Sequence, residues 1–267
     1  MLNEEIVTLK LPYPNRGDKK VRVYIPAHEE GETLPVVYMT DGQNLFDEET
    51  SSYGSWLTHE TVKAEREKSG KAAIIVGIHN DGRPVERNNE LTPTGIGKVK
   101  GLLLRLLAFP APEGDVFAAF VINVVKPAVE AQFPVRTGRE NTAFCGSSSG
   151  GLEAFFMALS YPDIFGTVGA FSPAFEIYSQ KTLRRWIKSK MQPDMPFLYL
   201  YTGNGEPREK SIYRSVRKMA PFIRECYPAS RLREVVKQEQ PHHESAWGEE
   251  FKDFLSLFLA TEADISG

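Results

Sequence analysis

An α/β architecture is what this sequence predicts: a mixed, mostly parallel central sheet with helices on both faces. Three observations carry that expectation. Strand-like runs come first with no helix between them, Val7–Leu11 and Val21–Ile25, divided by the turn cluster PYPNRGDKK. Leu34–Met39 (LPVVYM) and Ala72–Ile78 (AAIIVGI) are unbroken apolar runs, as strands buried on both faces require. From there onward strands and helical segments alternate, the order that builds parallel sheets. A helix is expected over Asp115–Phe133 with Asp115 as its N-cap, then a strand over Thr142–Cys145. A helix over Leu152–Ser160 stops at Tyr161-Pro162. Strands Val168–Phe171, Pro196–Tyr201 and Leu232–Gln238 follow, and a helix over Trp247–Ala260 closes the chain. With no internal repeat, low-complexity tract or obvious linker, residues 1–267 read as one domain.

Composition bounds the function. The chain has 267 residues, 41% of them hydrophobic and 25% charged, enough to bury a core without staples. A formal net charge of −3 with no basic face speaks against nucleic-acid binding. No apolar run reaches the roughly eighteen residues of a membrane span. The start MLNEEIVTLK lacks the basic and apolar regions of an export signal, so a cytoplasmic location is expected. Cys145 and Cys226 are too few for a disulfide scaffold and show no metal-ligand spacing; Cys145 reads as a buried, inert thiol. No metal or organic cofactor is expected.

The strand Thr142–Cys145 runs into Gly146-Ser147-Ser148-Ser149-Gly150-Gly151, and a helix follows at once. G-x-S-x-G between a strand and a helix is the nucleophile elbow of α/β hydrolases. So sharp a turn crowds the positions two before and two after the serine, and Gly146 and Gly150 relieve that crowding. Ser148 has glycine on both sides at that spacing, whereas Ser149 would have Ser147. Ser148 is therefore the expected nucleophile. A flexible Ser/Gly turn is the competing reading of the pentapeptide alone.

A serine hydroxyl needs a positioned base, and in this arrangement the order along the chain is Ser, Asp/Glu, His. Only His242 and His243 follow Ser148, both in the loop PHHESAW after the last expected strand; position does not separate them. His28, His59 and His79 precede it and are expected to be surface or supporting groups. The acid should leave the strand Pro196–Tyr201, where the loop TGNGE offers Glu206, with Glu209 as its rival. The N–H of Ser149 is one expected oxyanion donor. The second is placed in the loop after Leu34–Met39, at the N–H of Gln43 beside Gly42.

MTDGQNLFD (39–47), GIHNDGRPVERNNELTP (77–93), REN with GSSSGG (139–151), FSPAF (171–175) and HHESAW (242–247) resemble the "Putative esterase" family of α/β hydrolases. That family includes siderophore (enterobactin-type), feruloyl and acetylxylan esterases and S-formylglutathione hydrolase. The likeness runs over roughly residues 20–260 and is greatest to its siderophore-esterase-like and predicted-hydrolase branch. It implies the α/β-hydrolase fold with Ser148 as nucleophile. In the family the catalytic histidine stands five residues before a tryptophan, so Trp247 implies His242. A G-x-x-E loop implies Glu206, while relatives that rely on Ser and His alone keep a dyad open.

The expected function is serine-dependent hydrolysis of a small-molecule or sugar carboxylic ester through an acyl-enzyme. Acyl transfer by the same triad and a non-catalytic ligand-binding module are the alternatives. Residues 94–114 depart from the family pattern, and the apolar run GLLLRLLAFPAP suggests a lid at the catalytic edge, with an ordinary core helix as the competing reading.

Overall fold

The computed structural model describes residues 2–14, 16–49, 51, 53–205 and 210–261. Eight strands form one sheet: β1 (Glu5–Tyr13), β2 (Gly17–Ile25), β3 (Val36–Met39), β4 (Ile74–Ile78), β5 (Thr142–Ser147), β6 (Thr167–Phe171), β7 (Phe197–Gly203) and β8 (Leu232–Lys237). Their order is β1-β2-β4-β3-β5-β6-β7-β8. β1 pairs antiparallel with β2, and β2 with β4; β3 with β4, β6 with β7 and β7 with β8 are parallel. The mixed, mostly parallel sheet read from the sequence is thus present. Strands β3, β4, β5 and β6 are buried along their whole length, as unbroken apolar runs require. β1 and β8, at the two edges, stay partly exposed and carry charged side chains, which discourages further strand addition.

The helices are α1 (Thr58–Ser69), α2 (Pro84–Glu90), α3 (Leu102–Leu107), α4 (Gly114–Phe120), α5 (Lys126–Gln132), α6 (Ser149–Ser160), α7 (Gln180–Lys190), α8 (Lys210–Cys226) and α9 (Glu244–Thr261). Among the described residues no helix is long and apolar enough to cross a membrane. The helix expected over Asp115–Phe133 is α4 and α5 joined by a π-helical segment, Val121–Val125. Its wider turn stands just before Pro127, which has no N–H to give the preceding turn. Asp115 does not cap this helix. Its carboxylate accepts the N–H and hydroxyl of Thr94 and the N–H of Gly95 instead, tying a distant loop to the first turn of α4.

The chain falls into two compact units, residues 1–80, 119–144 and 243–267 in one and 81–118 and 145–242 in the other. In the first, the 3-10 turn Gly42–Asn44 after β3 packs on β4 so tightly that a Cβ on Gly42 would lie 2.3 Å from the carbonyl carbon of Gly77. Asp41, in left-handed conformation at φ 56°, starts that turn and hydrogen-bonds Asn80. His28, expected at the surface or in support, is buried with Nδ1 2.9 Å from the Pro26 carbonyl. His59 is held below the usual histidine range by burial, and His79 is pushed down to about 4 by burial and then by Lys20 and Arg22.

In the second unit, α6 buries all but its last residue, including Glu153. Among the described residues neither carboxyl oxygen of Glu153 has a hydrogen-bond partner, and burial, then the nearby Asp115 carboxylate, push its pKa well up. Gly114 leaves the room it needs: a Cβ there would lie 2.6 Å from Glu153 Oε2. Cys145 is buried and its thiol shifted upward by that burial, as expected of an inert thiol.

Residues 92–114 make an excursion whose ends are stitched together. Gly114 N–H donates to the Thr92 carbonyl (3.0 Å), and Glu113 N–H to that of Asn89 (2.7 Å). At its far end, α3 buries none of its residues, which excludes a core helix. The first apolar anchor after it is Phe109, which is buried.

Gly42→Ala should destabilise the protein by about 1–3 kcal/mol, the cost of forcing a methyl into a closed contact. Gly70, a left-handed helix cap with open space around it, should lose only about 1 kcal/mol on the same change. Urea unfolding of both variants checks the order; equal midpoints would mean that the Gly42–Gly77 contact is not tight.

Candidate active site

Strand β5 stops at Ser147 and α6 starts at Ser149, leaving Ser148 between them at φ 58° and ψ −120°. That conformation is sparsely populated for any residue with a side chain. It is held from both sides. The Ser148 N–H donates to the Phe171 carbonyl at the end of β6 (2.9 Å), and its own carbonyl accepts from Ala174 (3.1 Å) and Leu152 (3.0 Å). Of the three adjacent serines, Ser147 and Ser149 are buried and Ser148 is the more exposed. The first N–H groups of α6 have no acceptor within the helix, so they face the elbow as donors. Ser149 supplies the first of them.

Gly146 is the penultimate residue of β5 and Gly150 the second of α6. The crowding at the elbow is most explicit one position further on. A Cβ on Gly151 would stand 2.4 Å from the Phe171 carbonyl oxygen, the same atom that accepts from Ser148.

His242 and His243, inseparable by position, differ in their surroundings. His243 is exposed and caps α9: its Nδ1 accepts from the Ser245 N–H (3.2 Å) and pairs with the Ser245 hydroxyl, and its carbonyl accepts from Ala246. His242 lies in the unit that holds Ser148. Burial first, then the positive charge of Arg87 on α2, hold its imidazole at about 4. It is therefore neutral, the state that accepts a proton, throughout the physiological range.

Glu206 and Glu209 lie outside the described residues. The start of their loop is tied to the His242 loop. Gly205 N–H donates to the Gln240 carbonyl (2.8 Å), and the Asn204 side chain accepts from Glu239 N–H (2.8 Å) and donates to Gln238. A Cβ on Gly203 would be 2.5 Å from the Gln240 oxygen, and one on Gly205 2.5 Å from that of Glu239. Two glycines therefore let the exits of β7 and β8 run side by side.

Gln43 is the middle residue of the 3-10 turn after β3, and its side chain accepts from the Asn80 N–H (3.3 Å).

Two polar residues of α2 had no role in the sequence reading. Asn88 takes the Ser149 hydroxyl on its Oδ1 (3.4 Å) and gives its Nδ2 to the Ala108 carbonyl at the end of α3 (3.5 Å). Arg87, one residue before it, sets the charge felt by His242. Both belong to the motif ERNNELTP, whose similarity to a family was legible but whose position over the elbow depends on tertiary folding.

Comparison with known proteins bears on the fold and the family. The siderophore hydrolase EstA of Aspergillus nidulans superposes with a TM-score of 0.72 at 21% identity, over 96% of this chain and 94% of that one. The enterobactin esterase FES of Shigella flexneri superposes with a TM-score of 0.72 at 16% identity, over 96% of this chain and 59% of its own. These likenesses show the α/β-hydrolase fold. In sequence, the siderophore triacetylfusarinine C esterase of Aspergillus fumigatus is 31% identical over 167 residues, 58% of this chain and 50% of that protein. The pattern of the family described as "Putative esterase" matches residues 15–254. With nearly the whole chain matched, this protein belongs to the "Putative esterase" family.

Proposed function

We propose that the protein hydrolyses carboxylic esters through a Ser148 acyl-enzyme. The observation that carries this reading is the elbow itself: the one serine of three that is not buried stands in a strained turn, at the positive end of α6. Ser148 Oγ attacks the ester carbonyl while His242 takes its proton. The N–H of Ser149 receives the developing oxyanion, and Gln43 is the second donor on the strength of its sequence position. His242 then returns the proton to the leaving alcohol, and water, activated the same way, releases the acid. Glu206 orients the imidazole by accepting its Nδ1–H. Names of relatives make siderophore esters the first substrates to try, beside hydroxycinnamoyl and acetyl esters.

Ser148→Ala should lower kcat by at least about 10³-fold, since only binding and oxyanion stabilisation remain. It should also abolish the fluorophosphonate adduct seen by intact mass, while Ser147→Ala and Ser149→Ala still label. Labelling lost in Ser149→Ala alone would move the elbow by one residue. Labelling without turnover of any ester in water would point to acyl transfer.

His242→Ala should be as damaging as Ser148→Ala, and His243→Ala mild. Because the protonated imidazole cannot act as base, kcat/KM should climb as pH rises through about 4, not through the ordinary 6.5. Arg87→Gln should move that midpoint upward while leaving it below the ordinary value, because burial is the larger cause. A midpoint near 6.5 in the unaltered enzyme would mean an exposed base.

Glu206→Gln should cost about 10²–10⁴-fold in kcat, less than loss of the nucleophile or base. An impaired Glu209→Gln beside a fully active Glu206→Gln would transfer the acid's role. Two fully active variants would leave a Ser–His dyad.

A further inference from the structure

Helix α3 inverts the usual rule for a surface helix. Leu102, Leu103, Leu106 and Leu107 are 60–70% exposed and Leu104 is 37% exposed, while Arg105, the one charged residue, is the less exposed side chain. At about 100° per residue, the five leucines cover about 200° of the helix circumference, and Arg105 falls in the gap. A rigid protein face laid against such a helix could cover only part of that arc. Fluid hydrocarbon closes around all of it.

Charge points the same way. No Asp or Glu occurs between Leu91 and Pro112, whereas Lys98, Lys100 and Arg105 do. Lys98 and Lys100 are exposed beside the leucines. This basic, apolar tip belongs to a chain whose formal net charge is −3. Its base is firmly seated: Lys100 N–H donates to the Ile177 carbonyl (2.8 Å), and Gly114 N–H to that of Thr92 (3.0 Å).

We propose that the α3 tip inserts its leucines into the interfacial layer of an anionic phospholipid surface, with Lys98 and Lys100 at the level of the headgroups. Each buried leucine adds hydrophobic binding, and each lysine adds attraction to anionic lipid that salt screens. Through Asn88, the end of this helix is one side chain from Ser149. A docked molecule thus holds its elbow close to the lipid surface.

Co-sedimentation with phosphatidylglycerol–phosphatidylcholine vesicles tests this without any turnover, so it can fail while the serine chemistry stands, and the reverse. The protein should pellet with these vesicles, and less with phosphatidylcholine alone. Leu103→Ser/Leu106→Ser should weaken binding by more than about tenfold with an unchanged melting temperature. Lys98→Gln/Lys100→Gln should weaken it about fivefold or more at low salt. The proposal is overturned if the protein stays in the supernatant at every lipid composition, or if vesicle binding survives the leucine substitutions. A concentration-dependent dimer by light scattering, dissociated by the same substitutions, would make a second copy the occupant instead.

Discussion

Holding Ser148 at φ 58° costs of the order of 1–3 kcal/mol, and the strain persists because surrounding backbone leaves no easier conformation. The Phe171 carbonyl is the fixed point. It accepts from Ser148, and it stands where any side chain larger than a hydrogen on Gly151 would collide. The loop after β6 then returns through Ala174 to bind the Ser148 carbonyl. A strained strand end, Gly151 and the tip of the neighbouring strand β6 thus define one another. The direction of the serine side chain and of the first N–H groups of α6 follows from that closure.

Much of this was legible in the residues. Unbroken apolar runs marked the central strands, because burial on both faces leaves no room for polar alternation. The sharp strand-to-helix turn at Ser148 could be read because steric crowding selects glycine at fixed offsets from such a turn. What escaped were roles created by distant parts of the chain meeting. Asp115 carries the residue type of a helix cap, yet a loop some twenty residues earlier supplies donors that outcompete its own helix. Asn88 and Arg87 look like ordinary polar residues of a short helix until folding sets them beside Ser149 and His242. Local spacing also left the two histidines equivalent; capping of α9 by His243 separates them physically. Glu206 and Glu209 fall outside the described residues.

Polar connections around the elbow are unusually direct. A single asparagine links Ser149 to the carbonyl that ends α3, and its neighbour on α2 adds to the charge felt by His242. Side-chain hydrogen bonds of this kind transmit position better than they add stability, since each is worth only about 1 kcal/mol net. Changes in the excursion between Thr92 and Gly114 can therefore be felt at Ser149 without loss of the fold.

Buried beneath the elbow, Glu153 has a further consequence. Its folded pKa lies above the unfolded one, so raising the pH above the ordinary carboxylate value favours the unfolded chain through this group. His79 and His242, with folded values of about 4, do the opposite, and an unfolded chain takes up protons on them as pH falls below the usual histidine value. A fall in pH therefore erodes stability through the histidines, and a rise in pH above the ordinary carboxylate value erodes it through the carboxyl. Unfolding releases a proton from this carboxyl wherever the native state still holds it, and the calorimetric heat then carries the protonation enthalpy of whatever buffer receives it.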